Sequence, residues 1–317
     1  MIKVGIIGAG NISQKMAETI NQMDGVMLWS VAARELSRAQ EFASVYQIPK
    51  AFGSYQELVQ EEEVDLVYVA TPNSHHCEAM KLVLNHGKHV LCEKSFTVNA
   101  DEAREVVALA KAKNLLLAEA IWTRYMPSRI MVNEIIESGV IGKVTSLEAN
   151  LNYPIAQKER ILKAELGGGA LLDLGVYVLN FAAMVFGNQV SDINTSCVRF
   201  DTGMDAMDSI TLRFAGGEMA ILHVSALSIA NRIGAIYGDK GYVEVRNINN
   251  IEKITVYDIE HNEVETYLPP KQITGFEYQV ESCMRAIKAG EIECPEMPHD
   301  EIIRIMQLMD DIRAMWD

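Results

Sequence analysis

Several features are scarce in this sequence, and each absence excludes a class of protein. Cysteine is rare: there are five residues in 317, and no two have the CxxC spacing of a metal site or redox motif. They are scattered at Cys77, Cys92, Cys197, Cys283 and Cys294. We therefore expect free thiols in a reducing compartment, with neither disulfide bonds nor a metal centre.

Positive charge is also scarce. The chain has 28 lysines and arginines against 43 aspartates and glutamates, a formal net charge of −15. A surface of that sign repels nucleic acids and anionic membranes. The sequence shows no apolar run long enough to span a bilayer, no internal repeat and no signal-peptide pattern before its first predicted strand. We expect a cytoplasmic protein that binds neither nucleic acid nor membrane and holds any phosphate in a local basic pocket.

Predicted strands alternate with predicted helices up to about residue 120. This alternation is typical of a doubly wound parallel sheet, which binds its ligands at the carboxyl ends of the strands. The predicted strands are Ile2–Ile7, Met27–Ala32, a short one near Ala51, Leu66–Ala70, His89–Cys92 and Leu115–Ala118. The predicted helices between them include Ser13–Asn21, Leu36–Tyr46, Tyr55–Gln60, His75–His86 and Ala100–Lys113.

The pattern changes after residue 120, where short strands with glycine-rich turns predict a large, mostly antiparallel sheet. The predicted elements are a helix at Pro127–Ser138, a strand at Val144–Tyr153, a long helix from the glycines at 167–169 to about Phe186, strands from Ser191 to Leu268, and helices over Gly275–Asp317. We expect an α/β protein with a Rossmann domain over residues 1–120. Residues 121–317 would form an α+β domain for substrate binding and oligomerisation, with an open-faced sheet and a last helix that packs back on the first domain.

The first predicted strand runs directly into the turn Gly8-Ala9-Gly10-Asn11-Ile12-Ser13 and then into a helix. A dinucleotide needs this order. Gly8 allows a tight turn, Gly10 lets the backbone approach a pyrophosphate, and the helix directs free N–H groups at the phosphates. Ser13 replaces the usual third glycine and is small enough for close packing. A plain strand–helix turn has the same residues, but the position favours a dinucleotide site formed by Gly8, Gly10, Asn11 and Ile12.

The residues after the second strand bear on the choice of cofactor. A fold that prefers NAD usually carries an acid at this point to hold the ribose hydroxyls. Here the strand ends in Val31-Ala32-Ala33-Arg34, and Arg38 follows one helical turn later. Two guanidinium groups can clamp a 2′-phosphate through paired hydrogen bonds. The alternative is a pair of ordinary surface arginines, but the absent acid favours NADP over NAD as the cofactor.

Two further loops follow strands at the same edge of the predicted sheet. One is Thr71-Pro72-Asn73-Ser74-His75-His76, whose proline ends the strand and which we expect on the nicotinamide ribose side. Its histidines fit partly exposed helix-start residues as well as a catalytic role. The other, Cys92-Glu93-Lys94-Ser95, directs a Glu–Lys pair into the mouth of the cleft. The cofactor-binding residues predicted from these loops are Thr71, Pro72, Asn73, His76, Glu93 and Lys94.

A second candidate segment follows the three glycines at 167–169. Asp173 and Tyr177 are four residues apart, so that a helix would place both on one face. Gly175 inside that helix is unfavourable by about 1 kcal/mol relative to alanine, which suggests the close approach of another element such as the other domain. The glycine cluster would allow contact between backbone and ligand. The alternative is a buried Asp–Tyr pair in the core.

Several stretches together resemble one family, across both predicted domains. They are GAGNIS, VAARELSRAQEFA, ATPNSHH, LCEKS, AEAIWTRYMP and GGGALLDLGVYVLNFAAMVFG. The whole chain resembles the glucose–fructose oxidoreductase / inositol dehydrogenase / MocA superfamily, and within it the branch of dimeric dihydrodiol dehydrogenases and NADP-dependent xylose dehydrogenases. One departure is that Ser95 replaces the proline of the family's Glu-Lys-Pro triplet.

The resemblance implies reversible hydride transfer between NADP(H) and a carbinol or carbonyl of a sugar, polyol or dihydrodiol. It assigns catalytic roles to Lys94, Asp173 and Tyr177, and it implies NADP from Arg34. It also places Trp122 and Arg124 in the tract that lines the nicotinamide and substrate pocket.

We expect Tyr177 to be the general acid–base, with a pKa lowered by cationic Lys94, and Asp173 to orient the pair. The roles of lysine and tyrosine are interchangeable at this stage. Two other functions fit the same residues. One is a glycoside hydrolase of this fold that oxidises and reduces a bound dinucleotide within one cycle, and the other is a non-catalytic NADP sensor.

The second predicted sheet also bears on assembly. Because side chains alternate along a strand, Leu222, Val224 and Ala226 share one face, and Ile221 and His223 share the other. Ile236 and Tyr242 add apolar surface nearby. Helices on one side cannot cover both faces, so a second copy would cover the open one. We expect a homodimer or a dimer of dimers through this face, as the resemblance also implies.

Overall fold

A computed structural model describes residues 1–316. The chain forms two compact units. The first comprises Met1–Tyr125 and Gln272–Met306, and the second comprises Met126–Lys271 and the residues from Gln307 onward. The expected second domain was 121–317, with only its last helix packing back on the first, whereas the first unit takes all of 272–306. Backbone hydrogen bonding explains the difference, because the N–H of Leu117 donates to Ile292 O at 3.0 Å.

The first unit contains a six-stranded parallel sheet with the order β3-β2-β1-β4-β5-β6. Its strands are β1 Ile2–Ile7, β2 Val26–Ala32, β3 Lys50–Phe52, β4 Leu66–Val69, β5 His89–Glu93 and β6 Leu117–Ala120. The order reverses between β1 and β4, which is the crevice where a doubly wound sheet binds a dinucleotide. The central strands are buried on both faces, as their continuous apolar sequences predicted.

Helices pack against this sheet and agree closely with the sequence. They are α1 Asn11–Ile20, α2 Leu36–Tyr46, α3 Tyr55–Val59, α4 His76–Asn85 and α5 Ala100–Lys113. Both ends of α2 and α5 fall where the sequence predicted them. In α5, Asn99 caps the first turn by accepting from Glu102 N, and Asn114 ends the helix in a left-handed conformation. The late segment of this unit adds α9, Glu277–Ala289.

The second unit contains an eight-stranded sheet with the order β14-β13-β12-β11-β7-β10-β9-β8. Its strands are β7 Val144–Asn152, β8 Val190–Arg199, β9 Asp205–Phe214, β10 Met219–Ser225, β11 Gly234–Gly238, β12 Gly241–Arg246, β13 Lys253–Asp258 and β14 Glu263–Tyr267. The sheet is mostly antiparallel, as expected. It is not a simple meander, because β7 inserts between β10 and β11 and pairs with β10 in parallel.

The helices of the second unit are α6 Pro127–Glu137, α7 Glu159–Leu162 and α8 Val176–Phe186. The last helix, α10 His299–Ala314, spans the division between the two units. The prediction of helix up to the last residue includes Asp317, which lies outside the described residues. Alternation along β10 is confirmed, because Leu222 and Val224 are fully buried while Ile221 is 46% exposed. Ile236 is fully buried, however, and adds nothing to the open face.

One helical segment passes the length and composition test for a membrane span, although the sequence analysis expected none. It runs over Ala164–Phe186, and 83% of its most apolar stretch is buried inside the structure. The core helix of a soluble protein passes the same test, so this finding is weak evidence for a membrane. Its second half is α8, which packs against β7 and β10.

Candidate active site

The turn after β1 has a backbone that requires glycine. Gly8 has φ +103°, and a Cβ atom there would lie 2.6 Å from Ala70 O. Its N–H donates to Ala32 O at 2.9 Å, which ties the turn to the end of β2. A side chain at this position would therefore strain the backbone and collide with the start of the loop after β4.

The start of α1 is open to an anion. A Cβ at Gly10 would meet nothing within 4 Å, and no side chain among the described residues caps the helix or places an acid in its first turn. Ser13, fully buried, donates from Oγ to Gly8 O at 2.7 Å, so the serine stabilises the turn through a bond that a glycine could not make. Asn11 and Ile12 are exposed beside the turn. This geometry fits a pyrophosphate at the helix N-terminus.

Arg34 and Arg38 lie at the end of β2 and on α2, and both are exposed. Neither guanidinium has a carboxylate oxygen within 4.0 Å among residues 1–316. Both charges act on Tyr55, where burial raises the pKa of the phenol and the two arginines partly oppose that shift. Each arginine therefore lies near enough to Tyr55 for its charge to act on the phenol.

The loop after β4 is tied to the loop after β5 by His76. The imidazole is fully buried, with Nδ1 2.8 Å from Ser95 O and Nε2 2.9 Å from Thr71 O. Burial lowers its pKa more than these carbonyls raise it. The expectation of a partly exposed helix-start residue is therefore wrong for His76, which is a buried bridge between two loops, and its predicted catalytic or cofactor-binding role stays a prediction.

One hydroxyl of the same loop remains available to a ligand. Thr71 Oγ1 is buried without a hydrogen-bond partner among the described residues. Pro72 is exposed and Asn73 is half-buried. A buried hydroxyl without a partner at the carboxyl end of β4 is consistent with a ligand that would supply one.

Glu93 and Lys94 lie at the end of β5, as predicted. Glu93 is buried and accepts a hydrogen bond from Tyr68 Oη. Burial raises the pKa of this carboxyl, while the tyrosine and the charge of Lys94 lower it. Lys94 is half-buried, and the peptide bond that joins it to Ser95 is cis.

Glu119 is a buried carboxylate beside the loop of Lys94 that the sequence patterns did not reveal. It lies in β6 opposite Cys92, is 1% exposed, and has an Oε1 atom without a partner among the described residues. Burial raises its pKa to about 8, against the lowering effects of Arg124 and of a hydrogen bond from the backbone of Phe96. It thus anchors the loop that carries Lys94. Only the strand pairing reveals this, since Glu119 is 25 residues from Lys94 in sequence.

Trp122 and Arg124 form a 3-10 turn directly after β6. Both are buried, and Trp122 packs edge to face with Phe276, with ring centroids 5.0 Å apart. The Arg124 guanidinium forms an ion pair with Glu301. A buried charge needs such a partner, so Arg124 is engaged within the first unit.

In the second unit, Asp173 lies in a π-helical turn, Leu171–Gly175, and Tyr177 lies one turn later in α8. Asp173 forms an ion pair with Arg160, a partner that the sequence analysis did not identify. A Cβ at Gly175 would lie 2.7 Å from Leu171 Cδ1. The close approach at Gly175 is therefore to a side chain of its own helical turn.

The glycine cluster before this turn is needed for packing inside the unit. A Cβ at Gly168 would lie 2.6 Å from Ile161 O, and one at Gly169 would collide with Asp205 Oδ1. The other oxygen of Asp205 accepts from Leu171 N at 2.6 Å and so caps the turn that carries Asp173. Gly168 and Gly169 thus make room for a carbonyl and a carboxylate, and ligand contact at the cluster stays a prediction.

The predicted site residues therefore fall into two groups. Those for the dinucleotide, together with Lys94, gather at the carboxyl ends of the parallel strands of the first unit. Asp173 and Tyr177 lie at the start of the long helix of the second. The first group offers an anion site, two available cations and a lysine, which is what a phosphorylated dinucleotide and a proton transfer need.

Comparison with known proteins agrees with this arrangement. Residues 2–120 match the family model described as the oxidoreductase family with an NAD-binding Rossmann fold, and residues 130–244 match the GFO/IDH/MocA C-terminal domain. The chain is 32% identical over 326 residues to trans-1,2-dihydrobenzene-1,2-diol dehydrogenase of Danio rerio, covering 98% of this chain and 96% of that protein. The enzyme of the same name from Homo sapiens is 32% identical over 320 residues, with the same coverage.

Solved structures show the same fold. A 3-ketoreductase from Actinomadura kijaniata, in complex with NADP and TDP-benzene, superposes with a TM-score of 0.91 at 24% identity, covering 99% of this chain and 97% of that one. An aldose–aldose oxidoreductase from Caulobacter crescentus superposes with a TM-score of 0.89 at 21% identity, covering 99% and 96%. With both domain models matched and the curated relatives aligned over nearly their whole length, this chain belongs to the GFO/IDH/MocA family of NAD(P)-dependent oxidoreductases.

Proposed function

We propose that this chain is an NADP-dependent dehydrogenase or reductase that acts on the CH–OH group, or the corresponding carbonyl, of a sugar, polyol or dihydrodiol. The single observation that carries the proposal is the set of groups at the carboxyl edge of the parallel sheet. There an uncapped helix N-terminus lies behind a glycine turn, and two arginines without carboxylate partners follow β2. These features suit a pyrophosphate and a 2′-phosphate.

The substrate class rests on the relatives. Proteins 32% identical over nearly the full chain are named for a dihydrodiol, and a structural neighbour is named for aldoses. We propose the same chemical class here: a small molecule with adjacent hydroxyl groups, one of which is oxidised.

In this proposal NADP, when bound, accepts or donates the hydride, and the protein handles the accompanying proton. Tyr177 and Lys94 move that proton at the substrate oxygen, one as the acid–base and the other as the cation that stabilises the developing negative charge. Asp173, held by Arg160, orients Tyr177 from one turn earlier. The backbone N–H groups after Gly10, together with Arg34 and Arg38, hold the phosphates.

A panel experiment tests the function. The purified protein is mixed with NADP⁺ and, separately, with sugars, polyols, trans-dihydrodiols and chromogenic glycosides, while reduced cofactor and released chromophore are followed by absorbance. We expect reduced cofactor to accumulate with at least one diol or sugar. Chromophore release without net reduction would instead establish a hydrolase, and tight NADP binding without either signal would establish a sensor.

We also propose that the chain forms a homodimer through the open face of the eight-stranded sheet. Three tyrosines on neighbouring strands, Tyr237, Tyr242 and Tyr257, lie in a row, and the last two stack with centroids 4.7 Å apart. Met219 and Ile221 are 41% and 46% exposed on β10, which β7 separates from β11. A cytoplasmic location fits the five free cysteines.

A further inference from the structure

Lys15 lies in α1 and has no role in the function proposed above. Its side chain is half-buried, with Nζ 4.1 Å from the centroid of the Trp122 ring and 4.3 Å from that of Phe276. The two rings meet edge to face at an interplanar angle of 66°. The ammonium therefore lies against two buried aromatic rings, an arrangement that a cation stabilises through their electron-rich faces.

The charge of Lys15 is not cancelled by a contact ion pair. Among residues 1–316, no carboxylate oxygen lies within 4.0 Å of its Nζ. Burial lowers its pKa, while Glu93 and Glu277 raise it from farther away. Glu277 is also engaged elsewhere, because its carboxylate accepts from the N–H groups of Ile273 and Gly275 at 2.6 and 2.7 Å. A positive charge with this little compensation acts on whatever binds nearby.

The neighbours of Lys15 place that charge at the carboxyl edge of the parallel sheet. Trp122 begins the turn after β6, and Glu93 is the last residue of β5, directly before Lys94. Ligands of a doubly wound sheet bind at this edge. An oxidised nicotinamide ring is a cation and a reduced one is neutral, so a positive charge close to the ring disfavours the oxidised form.

We propose that Lys15 is a positioning residue that holds the Trp122 ring at the carboxyl edge and, through its positive charge, makes the site bind NADPH more tightly relative to NADP⁺. This inference rests on the proposed function, since it supposes a nicotinamide cofactor at this edge. It predicts that removal of the charge moves the cofactor preference toward the oxidised form and loosens the indole.

The first test measures cofactor affinity in the absence of substrate. Lys15→Met keeps the length of the side chain and removes the charge, whereas Lys15→Arg keeps the charge and can stack on the rings. We expect the ratio of the Kd for NADPH to that for NADP⁺ to rise by about three- to tenfold in the methionine variant and to stay near the wild-type value in the arginine variant. Lys3→Met is the matched control. Lys3 is at the start of β1, and its Nζ lies 4.0 Å from the centroid of the Trp29 ring.

The second test reports on Trp122 itself. In a background with Trp29→Phe and Trp316→Phe, the remaining tryptophan fluorescence comes from Trp122 alone. Acrylamide should quench it more strongly with Lys15→Met and to the original degree with Lys15→Arg.

An unchanged ratio and unchanged quenching in a folded Lys15→Met protein would overturn the inference while leaving the proposed function intact. If the wild type binds neither NADP⁺ nor NADPH, the proposed function itself is wrong and the inference fails with it. If circular dichroism shows that Lys15→Met does not fold, Lys15→Gln is measured in its place with the same expected changes.

Discussion

Arg34 is the residue on which the choice of cofactor depends. Its guanidinium is exposed at the end of β2, with no carboxylate within 4.0 Å among residues 1–316. Loss of one charged partner of the 2′-phosphate removes roughly 1.5–3 kcal/mol, or about one to two decades of affinity. Arg34→Ala should therefore weaken NADP⁺ binding by that factor and leave NAD⁺ binding nearly unchanged, as measured by titration of both. Arg104→Ala, on the exposed surface of α5, serves as the control, and equal affinity of the wild type for the two cofactors would contradict the prediction.

Lys94 and Tyr177 carry the proposed proton transfer. Lys94→Met and Tyr177→Phe should each lower kcat by about a hundredfold or more, the usual contribution of a positioned acid–base group, with cofactor affinity little changed. The double variant should lose less than the product of the two effects, because both residues act on one proton. Lys113→Met, exposed in α5, is the control. Near-wild-type turnover of either variant, on a substrate for which chemistry limits the rate, would refute the assignment.

Glu119 should make stability depend on pH. Burial raises its pKa to about 8, so that the folded protein holds a proton that the unfolded chain releases near the ordinary value of 4.5. Between these values the folded state binds more protons, and its contribution to stability therefore falls as pH rises, by at most about 1.4 kcal/mol per pH unit.

Glu119→Gln imitates the protonated acid and should remove this dependence. The melting temperature of the wild type should fall relative to that of the variant as pH rises from about 5 to about 8. Glu62 is an exposed glutamate of the same unit, and the melting temperature of Glu62→Gln should change with pH as that of the wild type does. If the melting temperature of Glu119→Gln also changes with pH as that of the wild type does, the pKa of the Glu119 carboxyl is not raised.

At the scale of elements, the turn before α8 depends on one glycine. Gly169 has φ +103°, and its missing Cβ leaves room for the Asp205 carboxylate that caps Leu171 N. Gly169→Ala should lower the free energy of unfolding by more than the roughly 1–2 kcal/mol of backbone strain alone, because the cap must also move. Gly203→Ala is the matched control, since Gly203 has φ +87° in the same unit and nothing within 4 Å of its Cβ position. If urea unfolding shows that both variants lose the same free energy of unfolding, the Asp205 carboxylate plays no part in the effect.

The same element shows the limit of reasoning from periodicity. The spacing of Asp173 and Tyr177 predicted one face of a regular α-helix, and a helix is present. Its first turn, Leu171–Gly175, is π-helical, however, and its acid pairs with Arg160 of a short helix earlier in the chain. A four-residue spacing fixes a shared face only while the helix keeps 3.6 residues per turn. The helices α2 and α5 are regular α-helices over their whole predicted length.

At the scale of the whole molecule, assembly should depend on the open sheet face. Light scattering at micromolar concentration should give twice the mass of a single chain, or four times for a dimer of dimers. Ile221→Glu, at a position 46% exposed on this face, should shift the mass toward the monomer, because a buried unpaired charge disfavours the interface. Ile229→Glu, in the loop after β10 and 80% exposed, should not. A monomer mass for the wild type would refute the dimer.

The sequence by itself determined the parts of this protein that depend on local chemistry. The glycine turn at Gly8, the alternation of strands and helices, and the missing acid beside Arg34 each follow from residues adjacent in the chain. Burial of Leu222 and Val224 opposite exposed Ile221 follows from the two-residue period of a strand. These signals need no knowledge of what packs where.

Only the tertiary structure decided what depends on residues far apart in sequence. It brought 272–306 into the first unit, inserted β7 into the second sheet, enclosed His76 between two carbonyls, and placed Glu119 beneath the loop of Lys94. Side chains of the same type are exposed or buried according to which distant strand lies beside them. The pKa of a carboxyl such as Glu119 responds to that burial, which no local pattern encodes.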